Sequence, residues 1–326
     1  MAEIEMKSEK NRKSTVFIFA VIILFLLFLS RTVFFRNKSH LVFDDTQKYA
    51  GIYLNDPKDF QKFQVKPDIV AWFEPWYSRG STIKLDLCSN KQNAIPFISW
   101  EPHNIRLNDI ASGEEDDYIR QFLETLSRYT KNTDVLIRFA HEMEMRPKYK
   151  FAWYGWQAEN DPDAYIAAWQ HIVTLGREID PSIKWVWSPN RSDKYSAPFY
   201  PGDEYVDYVG ITLNLREDDE YYNLYRNFRD FYVIDGIREH LESYGKKIII
   251  TEAGYSNPDS EKKQDFLRSA FDYLIEDPML AGIVFYNERI TSFRDYNITD
   301  NPDLMKEFNE GLKTIQRFRQ KNHQEP

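Results

Sequence analysis

Two glutamates follow apolar runs in a pattern that suits acid–base chemistry. Glu142 comes after Leu136-Ile137-Arg138-Phe139-Ala140-His141, and Glu252 comes after Ile248-Ile249-Ile250-Thr251 and before Ala253-Gly254. A carboxyl at the end of a buried strand sits half out of water, where its neighbours set its pKa. Two such groups facing each other can straddle a glycosidic bond. One is protonated and donates to the leaving oxygen, while the other is ionised and attacks the anomeric carbon. Glu142 is the expected general acid/base and Glu252 the expected nucleophile. Arg138 and His141 are the neighbours that would tune them, and for Arg138 an ion pair inside the protein amounts to the same role. Glu74, Glu101 and Glu288 also end apolar runs. Strand ends meet solvent, so a lone charge there needs no functional explanation. The stretch His141-Glu142-Met143-Glu144-Met145 has Met145 where a helical zinc motif needs a second histidine. The 6 histidines of the chain are scattered, so neither a metal nor a cofactor is expected.

Aromatic residues crowd the same segments. Trp76, Trp100, Trp153, Trp156 and Trp187 are candidate sugar platforms, with Trp72 and Tyr154 beside them. Sugar rings have apolar C–H faces that stack on such rings, and polar side chains such as Glu101, Asn190 and Asn214 would meet their hydroxyls. Core packing is the stronger reading for Trp169 and Trp185, which fall on a helical face and within a strand.

These residues need a frame that brings them together. Eight apolar, β-rich runs are legible: Ala50–Leu54, Ile69–Phe73, Ile95–Trp100, Val135–Ala140, Ile183–Trp187, Tyr205–Thr212, Lys247–Thr251 and Ala281–Tyr286. Between them lie helical faces, such as Ile119-Phe122-Leu123-Leu126-Tyr129, Tyr165-Trp169-Ile172-Val173-Ile179 and Phe266-Leu267-Ala270-Phe271-Leu274. The second follows an Asp161-Pro162 start signal. Near-continuous apolar strands alternating with helices imply parallel β-structure under helical cover. Eight such units predict an α/β fold, a (β/α)8 TIM barrel, whose active site gathers at the C-terminal ends of the strands. Strands four and seven would then face each other across the mouth. A doubly wound sheet is the alternative, but no Gly-rich phosphate turn follows the first strand.

Composition sets the outer limits. Of 326 residues, 42% are hydrophobic and 29% charged, too apolar for disorder. The net charge of −9 argues against nucleic acid as a partner. Cys88 is the only cysteine, so no internal disulfide can form. Val16–Leu29 is uninterrupted apolar sequence, and apolar character resumes at Val33-Phe34-Phe35. No small-residue cleavage site follows, so the segment reads as an uncleaved membrane span. Lys7, Lys10, Arg12 and Lys13 precede it and Arg31, Arg36 and Lys38 follow it, a bias that favours a cytoplasmic N-terminus. The expected organisation is a cytoplasmic tail at 1–14, a transmembrane anchor at 15–35, a linker at 36–48 and an extracytoplasmic barrel at 49–326.

Several motifs together resemble glycoside hydrolase family 26. They are Arg138-Phe139-Ala140-His141-Glu142-Met143, Trp153-Tyr154-Gly155-Trp156, Trp185-Val186-Trp187-Ser188-Pro189-Asn190, Tyr200-Pro201-Gly202-Asp203-Glu204-Tyr205-Val206-Asp207 and Thr251-Glu252-Ala253-Gly254. The resemblance implies a (β/α)8 barrel and endo-acting hydrolysis of β-mannans, mixed-linkage β-glucans or β-1,3-xylans with net retention. It puts the acid/base on Glu142, a supporting role on His141 and the nucleophile on Glu252. There is one departure. The family pattern offers a tyrosine to the nucleophile after strand six, whereas this chain reads Gly210-Ile211-Thr212-Leu213-Asn214. Asn214 or a tyrosine from elsewhere would have to serve. The resulting expectation is a tethered retaining endo-β-glycanase acting on a cell-envelope or exopolysaccharide of β-glucan or β-mannan type. A polysaccharide synthesis or export assembly is the protein partner this suggests. The alternative is a weak or inactive membrane-anchored carbohydrate-binding scaffold.

Overall fold

The computed structural model describes residues 42–131, 133–145, 152–216, 227–234 and 236–322. The expected tail and anchor, and the first part of the linker, lie outside these residues. Among the described residues, no helix is long and apolar enough to cross a membrane.

Eight strands close into a barrel in chain order. They are β1 (Tyr49–Tyr53), β2 (Ile69–Pro75), β3 (Ile95–Glu101), β4 (Val135–Phe139), β5 (Ile183–Trp187), β6 (Tyr208–Arg216), β7 (Ile248–Ser256) and β8 (Leu280–Phe285). Every neighbouring pair is parallel, and β8 returns to β1 through Gly282 opposite Tyr49 and Phe285 opposite Ile52. Closure removes the doubly wound alternative.

Side chains alternate along each strand, so every strand feeds two cores. Ile69, Ala71, Ile95, Phe97, Leu136, Val186, Ile249 and Val284 fill the barrel interior. Val70, Trp72, Ile98, Trp100, Ile137, Phe139, Trp185 and Ile250 face outward and are covered by helices. The helix Asp116–Tyr129 buries Ile119, Phe122, Leu123 and Leu126, while Tyr129 at its end is exposed. The helix Pro162–Ile179 starts as its sequence predicts. Asp161 caps it by accepting the Ala164 N–H at 3.1 Å, and Pro162 occupies the first turn, where no N–H is needed.

Two expected strands are displaced. Asp203–Tyr205 is a short 3-10 turn, and β6 begins at Tyr208. Both β6 and β7 run on past their expected ends, pairing Thr212 with Glu252 and Asn214 with Gly254. Glu252 therefore lies within β7 rather than after it. The register shifts at Ile211/Thr212 in β6 and between Ile250 and Ala253 where β7 meets β8. Such irregularities bend a strand and re-aim its side chains, here beside the candidate nucleophile. A polar residue in an apolar run looked like the end of the strand, but it is a position turned inward at the mouth.

Close helix–strand approach is enforced by glycine at Gly176 in the helix Pro162–Ile179. A Cβ there would lie 2.3 Å from the Trp185 ring. Helix propensity alone would make Gly176→Ala stabilising by about 1 kcal/mol. The rigid, fully buried indole reverses the sign, and a net loss of about 1–3 kcal/mol is expected. Urea unfolding of the variant reads the sign directly.

Candidate active site

A polar layer crosses the barrel interior just below the mouth. Arg138, on the inward face of β4, is 0% exposed. Its Nε donates to Ser99 Oγ on β3 at 2.7 Å and its Nη1 to Thr251 Oγ1 on β7 at 3.2 Å. Its Nη2 donates to Glu252 Oε1 in a buried ion pair. The rings of Tyr53, Phe73 and Phe97 surround the guanidinium at 5.7–5.9 Å. Tyr53 hydrogen-bonds Ser99 at 2.9 Å, and Ser188 hydrogen-bonds Thr251 at 2.7 Å, so five strands contribute to the layer.

Glu252 rests on this layer. Burial raises its carboxyl above the usual range, and the Glu142 charge pushes the same way. Arg138 and a hydrogen bond from Asn214 oppose the rise. Asn214 Nδ2 donates to Glu252 Oε2 at 3.1 Å, so this asparagine occupies the polar role left by the absent tyrosine. Gly254 admits it, since a Cβ there would lie 2.8 Å from Asn214 Oδ1 and 2.7 Å from the Tyr296 ring.

Glu142 is held differently. It is half-buried and stands on left-handed backbone, φ 55°, two residues after Ala140 at φ 43°. Neither residue is glycine, so this loop stores strain at the catalytic candidate. The Glu142 N–H donates to Ser188 O at 2.9 Å, and Asn190 Nδ2 donates to Glu142 Oε1 at 3.0 Å. His141 is 3% exposed, and burial, reinforced by the Arg138 charge, drives its imidazole well below the usual range. It is neutral at pH 7. Glu101 is also buried and raised, though a 3.0 Å hydrogen bond with His103 opposes the rise.

A cleft of about 670 Å³ opens over both carboxyls, with His141, Asn190, Asn214 and Trp153 in its wall. A larger groove of about 810 Å³ follows the helix Asp116–Tyr129 on the barrel flank. Among the described residues its only carboxylate is Asp117, whereas the mouth brings two facing carboxyls together. Among the described residues, no cluster of His, Cys, Asp or Glu is arranged to hold a metal ion.

Several expected sugar platforms lie elsewhere. Trp100 points outward from β3, stacked at 4.3 Å on Phe122 and at 4.5 Å on Trp76. Trp76 is 6% exposed and bonds Glu115 through its Nε1. Trp187 is fully buried against Tyr200 and Tyr244. The outward positions of Trp100 and Trp187 on their strands, and the stacking of Trp76 on Trp100, commit all three to the core behind the barrel wall. Trp156 is buried behind Tyr154, 4.4 Å from it in a parallel stack, and donates to His141 O at 2.9 Å. It positions the cleft wall without lining it. Arg138 and Glu101 likewise stand behind the cleft rather than in its lining. Glu74 is consumed locally by Trp72 Nε1, Ser78 and the Ser81 N–H.

The sequence reading missed Phe73, Thr212, Tyr286, Tyr296 and the hairpin residues Ile290 and Arg294, all of which line the cleft. Tyr286 follows β8 directly, as Glu142 nearly follows β4, which is the one signal that marks it. The hairpin, Arg289–Thr291 with Arg294–Asp295, is too short to announce itself.

Arg138→Met would strip a buried carboxylate of its cation. A loss of about 3–5 kcal/mol at pH 7 is expected. The loss should shrink as pH falls, because Glu252 can then take a proton. If Glu252 is the nucleophile, the acid limb of kcat/KM reports its ionisation and should move to higher pH, since a group that lowers its pKa is gone. Denaturant curves at several pH values and a pH–rate profile test both statements.

The chain is similar to several known proteins. The chain is 27% identical over 271 residues to Endoglucanase H of Acetivibrio thermocellus, covering 78% of this chain and 28% of that one. It is 32% identical over 128 residues to a mannan endo-1,4-beta-mannosidase of Bacillus subtilis, covering 37% of this chain and 30% of that one. The match thus spans under a third of the length of either relative. In fold, it resembles a ruminal endo-beta-1,4-mannanase at a TM-score of 0.57 and 16% identity, covering 83% of this chain and 63% of that one. It also resembles the catalytic domain of a Bacillus sp. endo-beta-1,4-mannanase at a TM-score of 0.56 and 15% identity, covering 82% and 86%. The family model for glycosyl hydrolase family 26 matches residues 96–274, a segment that holds both Glu142 and Glu252, and the chain belongs to that family.

Proposed function

We propose that this protein is a retaining endo-β-glycanase, with Glu252 as nucleophile and Glu142 as general acid/base. The observation that carries the reading is the contrast between two carboxyls in one cleft. Glu252 is paired with a buried guanidinium, which favours its charged form. Glu142 accepts a hydrogen bond from the neutral Asn190 amide and opens into the cleft. In the first step a Glu252 oxygen bonds to the anomeric carbon as the bond to the leaving oxygen breaks, and Glu142 gives that oxygen its proton. In the second, water attacks the same carbon, gives its proton to Glu142, and the glycosyl ester breaks to restore the Glu252 carboxylate. Esterification neutralises Glu252 and leaves the Arg138 charge unpaired in the barrel. That cost disfavours accumulation of the intermediate and helps drive the second step.

A β-linked glucan or mannan is the proposed substrate, supported by the relatives named as an endoglucanase and mannanases. Trp153, 61% exposed in the cleft wall, offers a ring face to a sugar unit. A scaffold reading drew on the missing tyrosine, and the Asn214 hydrogen bond to Glu252 weakens that motive. Hydrolysis of mannan, mixed-linkage glucan and β-1,3-xylan should be followed by reducing-sugar release, and early product by proton NMR. The β-anomer should appear first, and Glu252→Ala should lower the rate about 10⁴–10⁶-fold with the fold intact. First appearance of the α-anomer would sink the double displacement, and binding without release would favour the scaffold.

We further propose that Val16–Leu29, continued through Phe35, anchors the barrel on the extracytoplasmic face of a membrane. There it would trim or release a cell-envelope or exopolysaccharide beside a synthesis or export assembly. The full chain should resist alkaline carbonate extraction from membranes. A C-terminal tag should be digested by protease added to intact spheroplasts, and protection of the tag would reverse the proposed orientation.

A further inference from the structure

Glu144 lies two residues beyond the acid/base and takes no part in the steps above. It is 0% exposed, flanked by the buried Met143 and Met145. A third methionine would fill such a space at lower cost than a carboxyl, so the oxygens themselves need a reason.

The partner of Oε1 supplies one, while Oε2 is buried with no hydrogen-bond partner among the described residues. Glu144 Oε1 accepts the backbone N–H of Arg191 at 2.6 Å, and the Asn190 N–H adds a weaker contact. Asn190 is the residue whose side chain reaches Glu142 Oε1. The Glu142 N–H in turn grips Ser188 O at the start of the same turn. The turn 188–191 is thus fastened at both ends to the loop that carries the acid/base, by Glu142 at one end and Glu144 at the other. Glu142 sits on strained left-handed backbone, which relaxes unless its surroundings fix it. Burial pushes Glu144 up to about 8, against the pull of the Arg191 N–H, so at neutral pH it is protonated and adds no charge beside Glu142.

We infer that Glu144 is a positioning residue, anchoring the turn 188–191 so that Asn190 holds the Glu142 carboxyl where it can protonate the leaving oxygen. The inference rests on the reading of Glu142 as acid/base given above.

The test uses phenyl and 2,4-dinitrophenyl β-cellobioside and β-mannobioside, with kcat/KM read as the first step. Dinitrophenolate departs without a proton, whereas phenolate needs the acid. Glu144→Met removes the acceptor and keeps the volume. It should lower kcat/KM on the phenyl glycoside about 10–100-fold and on the dinitrophenyl glycoside less than about threefold. Glu144→Gln keeps an acceptor at Oε1 and should stay within about twofold of wild type on both. If Glu144→Met does not fold, Glu144→Asp withdraws the acceptor by one methylene and reads the same ratio. Equal losses on both leaving groups would mark general damage and overturn the inference, as would no loss on the phenyl glycoside. A wild-type enzyme inert on every glycoside would remove the acid/base reading and this inference with it.

Discussion

The mouth of the barrel is organised around a guanidinium that is fully buried. Arg138 reaches the interior because β4 alternates strictly, and once there it cannot lose its charge. Its cost is offset by hydrogen bonds to Ser99 and Thr251, three aromatic faces and the Glu252 carboxylate. Each partner comes from a strand, so the layer doubles as a statement of register. A one-residue slip in β3, β4 or β7 would turn a partner toward the helices and leave a charge stranded. Fold specificity and the charge state of Glu252, the proposed nucleophile, therefore depend on the same contacts.

The two carboxyls diverge because they hang from different kinds of backbone. Glu252 is built into a strand, between register shifts, and is held from below by Arg138 and from the side by Asn214. Glu142 hangs from a strained loop and accepts its hydrogen bond from a neutral amide. A nucleophile benefits from a fixed position and a nearby cation, and a proton carrier from access and freedom to titrate. Asn214 shows that a donor to Glu252 can come from a β6 that runs longer than expected, without a tyrosine.

Aromatic residues divide by strand face rather than by loop. Trp100 and Trp187 are outward-facing, Trp76 stacks on Trp100, and the three join the layer between barrel and helices. Trp156 stacks behind Tyr154 and ties itself to the His141 carbonyl, so its contribution to the cleft is shape. Trp153, in contrast, is exposed in the cleft wall.

Local pattern determined a good deal by itself. Apolar periodicity and a start signal such as Asp161-Pro162 specify eight strands and their helical cover, because alternation and capping are properties of neighbouring residues. The apolar runs that carry Glu142, Glu252, His141, Asn190 and Asn214 toward the mouth were legible for the same reason, and these residues do meet in one cleft. What the tertiary structure decided was every question of facing. Whether Trp100 looks at substrate or at Phe122, whether Glu74 is free or consumed by Ser81, and whether Glu252 ends β7 or lies within it depend on strand twist, closure and register. Those are set by the summed packing of elements far apart in the chain. Arg138 joins the two levels. Its inward position follows from the β4 alternation, but only barrel closure brings Glu252, 114 residues away, to its guanidinium.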